Sequence, residues 1–244
     1  MDEVKKLRKN VIKEFSSEAS LKEYGGVVHA GLWDSEKILI KKYFKKGKVL
    51  DLGCGTGRTT LPLKKMGYDV IGVDLTPKFI DIAKKSSKGI KFEVGDATQL
   101  KFKNEIFDNV LFSFNGIMQI PGKDNREKAF REIYRVLKKG GSFIFTTDYK
   151  RLRKFHIWSK RAIEHYVLKH FGYKSESIDF GDMFFKRSGS DLNQFMHIPN
   201  LRKIKFLLKQ IGFEVVLMEY VSNISSKDYQ MKSANCVFYV CKKI

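Results

Sequence analysis

Three glycines separated by single residues follow an acidic residue at the end of an apolar run, in Val49-Leu50-Asp51-Leu52-Gly53-Cys54-Gly55-Thr56-Gly57. Glycine enters backbone conformations closed to other residues, so such a run lets the chain turn sharply out of a strand and approach a ligand at the start of the next helix. The spacing of Gly53, Gly55 and Gly57 is GxGxG, and the GxGxxG pyrophosphate fingerprint of dinucleotide folds is not met. A second acid, Asp74, closes the next apolar run, Val70-Ile71-Gly72-Val73, at the place where an α/β crevice offers a carboxylate to ribose hydroxyls. A third lies in Gly95-Asp96-Ala97, where a carboxylate and a neighbouring N–H can read the exocyclic amine and a ring nitrogen of adenine. The chemistry these residues suit is the grip on a nucleoside.

Such residues need strands that end in them and helices that follow. Residues 48–52, 69–73, 90–94, 106–112 and 141–147 read as strands, and 57–66, 77–86 and 124–138 as helices. That alternation predicts a parallel sheet covered on both faces. Upstream, the spacing of Val4, Leu7, Val11, Ile12 and Phe15 predicts a helix over 5–15. A break follows at Gly25-Gly26, then a second helix capped by Asp34 or Ser35 and ending near Gly47. Residues 149–199 interrupt the rhythm with an aromatic and basic helix over 151–170 and two short strands, 178–185 and 192–198, joined through residues 187–190. These read as an inserted lid. A helix over 201–211 stops at Gly212, and strands over 213–220 and 236–241 close the chain. The expected organisation is a single domain, 1–244: a cap (1–46), a ligand-binding half (47–148), the lid (149–199) and a closing segment (200–244).

The chain has 244 residues, 43% hydrophobic and 30% charged, which suits a folded protein with a sizeable core and excludes a disordered one. Lys and Arg number 47 against 27 Asp and Glu, a net charge of +20. The surplus is mostly lysine and spread along the chain, the pattern of a solvated surface more than of a nucleic-acid stripe. The three cysteines, Cys54, Cys236 and Cys241, form no CxxC pair, which argues for a reducing compartment and against a structural zinc site; no metal is expected. With no signal-like start and no run of about 18 apolar residues, a cytoplasmic protein without a membrane partner is expected.

In this order and spacing the three strand ends resemble the class I S-adenosylmethionine-dependent methyltransferases. Phe107-Asp108, Leu137-Lys138-Lys139-Gly140-Gly141 and Leu207-Leu208-Lys209-Gln210-Ile211-Gly212-Phe213 extend the likeness over 47–148 and again over 200–244. The resemblance implies a Rossmann-like, doubly wound α/β fold. Its mostly parallel sheet has seven strands in the order 3-2-1-4-5-7-6, strand 7 antiparallel, with a helical cap before it and a helix-hairpin lid after strand 5. It implies S-adenosyl-L-methionine as cofactor and S-adenosyl-L-homocysteine as product. Gly53, Gly55 and Gly57 would then bend round the methionine part, Asp51 would orient its amino group directly or through water, Asp74 would hold the ribose and Asp96 with Ala97 the adenine, with Cys54, Thr56, Leu75 and Phe112 also at the cofactor. A nicotinamide-binding domain is disfavoured by the glycine spacing.

Methyl transfer from a sulfonium is an in-line displacement, so the protein must align the acceptor, exclude water and, where the acceptor carries a proton, take it. The segment 112–121 lacks the Asn/Asp-Pro-Pro-Tyr/Phe run of enzymes that methylate exocyclic amines and the Pro-Cys of RNA cytosine methyltransferases. Candidate catalytic residues are His29, His197 and Tyr24, and candidate acceptor contacts are Trp33, Asn115, Met118 and Tyr149. The leading expectation is methylation of oxygen or nitrogen on a small-molecule acceptor, with an anionic one suggested by the charge. The alternative partner is RNA, in a tRNA methyltransferase resembling those that esterify modified wobble uridines, supported by Arg151, Arg153, Lys154, Lys160 and Arg161 in the insert. A third reading is a cofactor-binding regulator without transferase activity. The oligomeric state is left open.

Overall fold

The computed structural model describes residues 2–26, 30–149, 159, 162–168, 171, 177–186, 192–229 and 236–244. At its centre lies β1 (Lys48–Leu52), whose Val49, Leu50 and Leu52 are buried on both faces, as a parallel strand between two helical layers requires. It pairs in parallel with β2 (Asp69–Asp74) on one side and β4 (Phe107–Phe112) on the other. Outward from these lie β3 (Lys91–Val94) beside β2 and β5 (Leu137–Asp148) beside β4. The antiparallel β9 (Cys236–Lys243) and then β8 (Phe213–Tyr220) complete the sheet. The order β3-β2-β1-β4-β5-β9-β8 is the expected one, with the separate hairpin β6 (Asp182–Lys186) and β7 (Asn193–His197) counted in between. Successive strands run outward in opposite directions from β1 and β4, so a crevice opens beyond their carboxyl ends.

The helices α4 (Thr60–Lys65), α5 (Pro77–Ser86), α6 (Lys123–Val136) and α7 (Leu201–Ile211) follow the strands. Phe130, Ile133, Phe143 and Phe145 fill the core under α6, and Leu39, Ile40, Leu63 and Val70 fill the one on the opposite face. Three cap helices precede the sheet: α1 (Asp2–Phe15), α2 (Glu18–Gly26) and α3 (Asp34–Tyr43). None of the helices among the described residues is long and apolar enough to cross a membrane.

Four local expectations are corrected. Residues 18–26, not expected as a helix, form α2, which stops at the expected Gly25-Gly26 break. Asp34 and Ser35 do not cap α3: both lie in its first turn and donate their backbone N–H groups to Asp228, at 3.2 and 2.7 Å. The helix expected from residue 57 starts at Thr60, because the glycine run continues as turns. The helix expected to reach 138 ends at Val136, since Leu137 already pairs with Phe107 across the sheet. Most of the basic insert helix, Arg151, Arg153, Lys154, Lys160 and Arg161 included, lies outside the described residues; among those described, Ile163–Leu168 forms a helical segment.

The hairpin β6–β7 supports α1. Leu7 and Val11 of α1 bury against Phe195 of β7, with Phe15, Ile178 and Phe184 around them. At the hairpin's base, Asp182 accepts the N–H groups of Ile178 and Asp179, at 2.9 and 2.7 Å, and sits 2.8 Å from His197 Nδ1, while Arg126 of α6 donates to Asp179 at 2.5 Å. Phe195→Ala should therefore lower stability in urea unfolding by about 3–5 kcal/mol, the usual loss for a buried aromatic side chain. A change under about 1 kcal/mol would mean that α1 does not rest on the hairpin.

Candidate functional site

The crevice beyond β1 and β4 is a cavity of about 270 Å³, walled by the sheet rim below and the cap above. Gly53 and Gly55 adopt φ of +65° and +55°. A Cβ at Gly53 would stand 2.6 Å from the Phe112 ring, whereas one at Gly55 would meet nothing within 4 Å. The first glycine thus allows a close approach within the protein, and the second leaves room for something else. Cys54 and Thr56 line the cavity between them, and Thr56 donates its hydroxyl to the Tyr24 carbonyl at 2.7 Å, fastening the glycine loop to α2. Burial pushes the Cys54 thiol well above its ordinary range, so it stays neutral.

Asp51 does not reach the cavity. It is buried beneath the loop and accepts the hydroxyls of Thr59 and Thr60, at 2.7 and 2.5 Å. Desolvation pushes its pKa up to about 6 despite these bonds. Gly57 likewise lies behind the wall, against Leu61 and Phe92. Asp74 does line the cavity, accepting the Gly55 N–H at 2.9 Å and the Thr76 N–H at 2.8 Å; burial raises its pKa against the pull of those bonds. Leu75, Ala97 and Phe112 line the same space. Asp96 is there too, accepting the Thr98 N–H at 2.9 Å on one oxygen and pairing with Arg8 on the other. Burial opposes ionisation of Asp96, but these two partners outweigh it and its pKa is lowered.

Of the candidate catalytic and acceptor residues, Tyr24 and Trp33 line the cavity. They belong to a chain of rings: Trp33 to Phe114 at 5.2 Å, Phe114 to Tyr24 at 6.4 Å, and Tyr24 to Phe79 and Phe15 at 5.6 and 5.8 Å. His197 is held in the hairpin instead, where burial lowers its pKa. Together with Asp179 and Asp182 it has metal-like spacing, but the carboxylates already accept from Arg126 and two backbone N–H groups. Asn115 has φ +61° and turns into the core, its N–H donating to Thr146 Oγ1 at 2.7 Å; Met118 is 1% exposed in the same core. Tyr149 packs on Tyr220 at 4.6 Å, away from the cavity. His29 lies outside the described residues.

Sequence reading missed three residues of the rim. Glu36, with no accessible surface, accepts the Trp33 N–H at 2.7 Å and a two-pronged contact from Arg58 at 2.8 and 2.9 Å. Ser113 at the end of β4 donates its hydroxyl to the same carboxylate. Arg58, which lines the cavity, also donates to the Gly31 carbonyl at 2.8 Å and lies 5.2 and 5.7 Å from the Trp33 and Phe114 rings. Burial opposes the Arg58 charge, yet Glu36 raises its pKa. The one available signal for Glu36 was its place three residues after Trp33, at the third position of a helix, where a glutamate accepts the N-cap N–H.

A doubly wound sheet with a glycine loop at its switch point and carboxylates at the next two strand ends defines a nucleoside-cofactor-binding α/β protein. Residues 50–145 match the methyltransferase domain family. Demethylmenaquinone methyltransferase of Leptospira interrogans is 32% identical over 185 residues, 69% of this chain and 68% of that protein. The enzyme of the same name from Lactobacillus johnsonii is 40% identical over 116 residues, 41% of this chain and about half, 46%, of its own length. In fold, a SAM-dependent methyltransferase of Methanosarcina mazei superposes with a TM-score of 0.68 at 20% identity, over 88% of this chain and 99% of that one. The chain belongs to the class I S-adenosylmethionine-dependent methyltransferases, and its cofactor is S-adenosylmethionine.

Two predictions follow from the buried groups of this rim. Glu36→Gln strands the Arg58 charge and should cost about 3–5 kcal/mol in urea unfolding; a loss below about 1 kcal/mol would show that the pair is not buried. Asp51 has a folded pKa of about 6, above its unfolded 3.8. Its contribution is therefore fully present below the unfolded value and lost as pH rises through the folded one, a difference of about 3 kcal/mol. Relative to Asp51→Asn, the wild type should lose that amount between about pH 4 and pH 7; parallel stability profiles would contradict the assignment.

Proposed function

We propose that the chain transfers the methyl group of S-adenosylmethionine to a small, largely apolar acceptor held beneath the cap. The observation that carries this reading is the composition of the cap side of the cavity: Val11, Ile12 and Phe15 of α1 face it together with Ile120 and Pro121. The lining cations among the described residues, Arg8 and Arg58, are each paired with a carboxylate. An uncharged acceptor body suits such a wall better than the anionic one suggested by net charge. The names of two relatives, demethylmenaquinone methyltransferases, agree with a small acceptor.

The room above Gly55 and the two carboxylates opening on one cavity fit the cofactor. Asp74 would hold the ribose, Asp96 and Ala97 the adenine, and the Gly53–Thr56 backbone the methionine part. When bound, the cofactor supplies an electrophilic methyl group on a sulfonium. The chain's own task is then alignment and exclusion of water. The Trp33, Phe114 and Tyr24 rings close the donor end against solvent, and the Tyr24 phenol would orient an acceptor hydroxyl or amine. Asp51 acts one step removed, by fixing Thr59 and Thr60 under the loop.

Incubation with methyl-labelled S-adenosylmethionine should place label in an apolar extract of small metabolites. Label confined to tRNA would overturn the small-acceptor reading. In the same assay Asp74→Ala should weaken the cofactor by about 1.5–3 kcal/mol, the range for bonds to a charged group, seen as a raised cofactor KM; an unchanged KM in a folded variant would remove Asp74 from the ribose site.

A further inference from the structure

The cavity side of α1 is a single stripe, Arg8, Val11, Ile12 and Phe15, at three- and four-residue spacings. Arg8 and Phe15 are seven residues apart, which separates them by about 10 Å along the helix. The two ends of the stripe are anchored differently. Phe15 packs among Tyr24 and Phe79, with ring centroids at 5.8 and 6.2 Å, whereas Arg8 reaches across the cavity to the Asp96 carboxylate. The adjoining flank of α1, which shares Val11 with this stripe, rests on the hairpin where Leu7 and Val11 meet Phe195. The Arg8–Asp96 pair is thus a polar contact that ties α1 to the rim of the parallel sheet.

From this geometry we propose that Arg8 is a positioning residue that couples cofactor binding to the placement of α1. The inference rests on Asp96 facing the adenine, as proposed above. One carboxylate serves two partners: Thr98 and Arg8 fix its orientation from within the protein, and each oxygen keeps a lone pair for a ligand amine. Whatever holds Asp96 in place for the cofactor therefore also sets where Ile12 and Phe15 stand, and with them the shape of the acceptor lobe. By linkage, cofactor binding must steady α1 to the same extent that a steadied α1 favours the cofactor.

The test compares wild type, Arg8→Met and Arg8→Lys. Methionine keeps much of the apolar stem and removes the charge, and lysine keeps the charge. Amide hydrogen exchange of α1, measured without ligand, should be about tenfold faster in Arg8→Met than in wild type and largely restored in Arg8→Lys. S-adenosylhomocysteine should slow α1 exchange in wild type and Arg8→Lys, and bind Arg8→Met about tenfold more weakly. In turnover, Arg8→Met should raise the acceptor KM more than it lowers kcat, a split that a general loss of folded protein does not produce. Exchange in Arg8→Met within about twofold of wild type, or Arg8→Lys behaving like Arg8→Met, would overturn the proposal. Failure of the wild type to bind S-adenosylhomocysteine would instead overturn the cofactor reading of Asp96, and the ligand-free exchange would still decide the role of the ion pair.

Discussion

A carboxylate with no accessible surface and a guanidinium on the cavity wall hold the site together. Glu36 on α3 and Arg58 just after the glycine loop meet through two parallel N–H···O contacts, and Ser113 and the Trp33 backbone complete the carboxylate's shell. Taking both charges out of water is costly, and only such complete pairing makes their burial tolerable. The reward is geometric more than energetic. The cap, the glycine loop and the end of β4 converge on one carboxylate, so none can shift without leaving a buried charge exposed to its own desolvation penalty. The Trp33 and Phe114 rings lie against the same guanidinium, and this side of the cavity inherits its walls from the pair.

The sheet was legible because its information is local. Apolar runs closing at Leu52, Asp74 and Val94 marked the strands and the glycine spacing set the loop apart from dinucleotide folds, while the strand order followed from the family resemblance. What depended on distant partners was not legible. Arg8 and Asp96 are 88 positions apart and Glu36 and Ser113 are 77 apart, and no periodicity links them. Asn115 and Met118 sit on the expected segment, but a left-handed backbone at Asn115 turns them into the core. Period alone assigns residues to an element without saying which of two apolar surroundings each will face.

The insert illustrates the same limit. It reads in sequence as a lid whose second strand ends at His197, yet none of the described residues of 177–199 lines the cavity. The hairpin stands one layer back and carries α1, locked at its base by Asp182, His197 and the Arg126–Asp179 pair. Variation in such a support would move the α1 wall of the cavity without entering it. The parallel half of the sheet, by contrast, presents Asp74 and Asp96 to the cavity directly. This division fits a family in which one cofactor serves many acceptors.

Calorimetric titration of the ligand-free wild-type protein with S-adenosylhomocysteine tests the central claim most directly. One-to-one binding in the micromolar range, with the negative heat-capacity change of apolar burial, is the expected result. Absence of binding by a folded sample would contradict the assignment of this cavity to the cofactor.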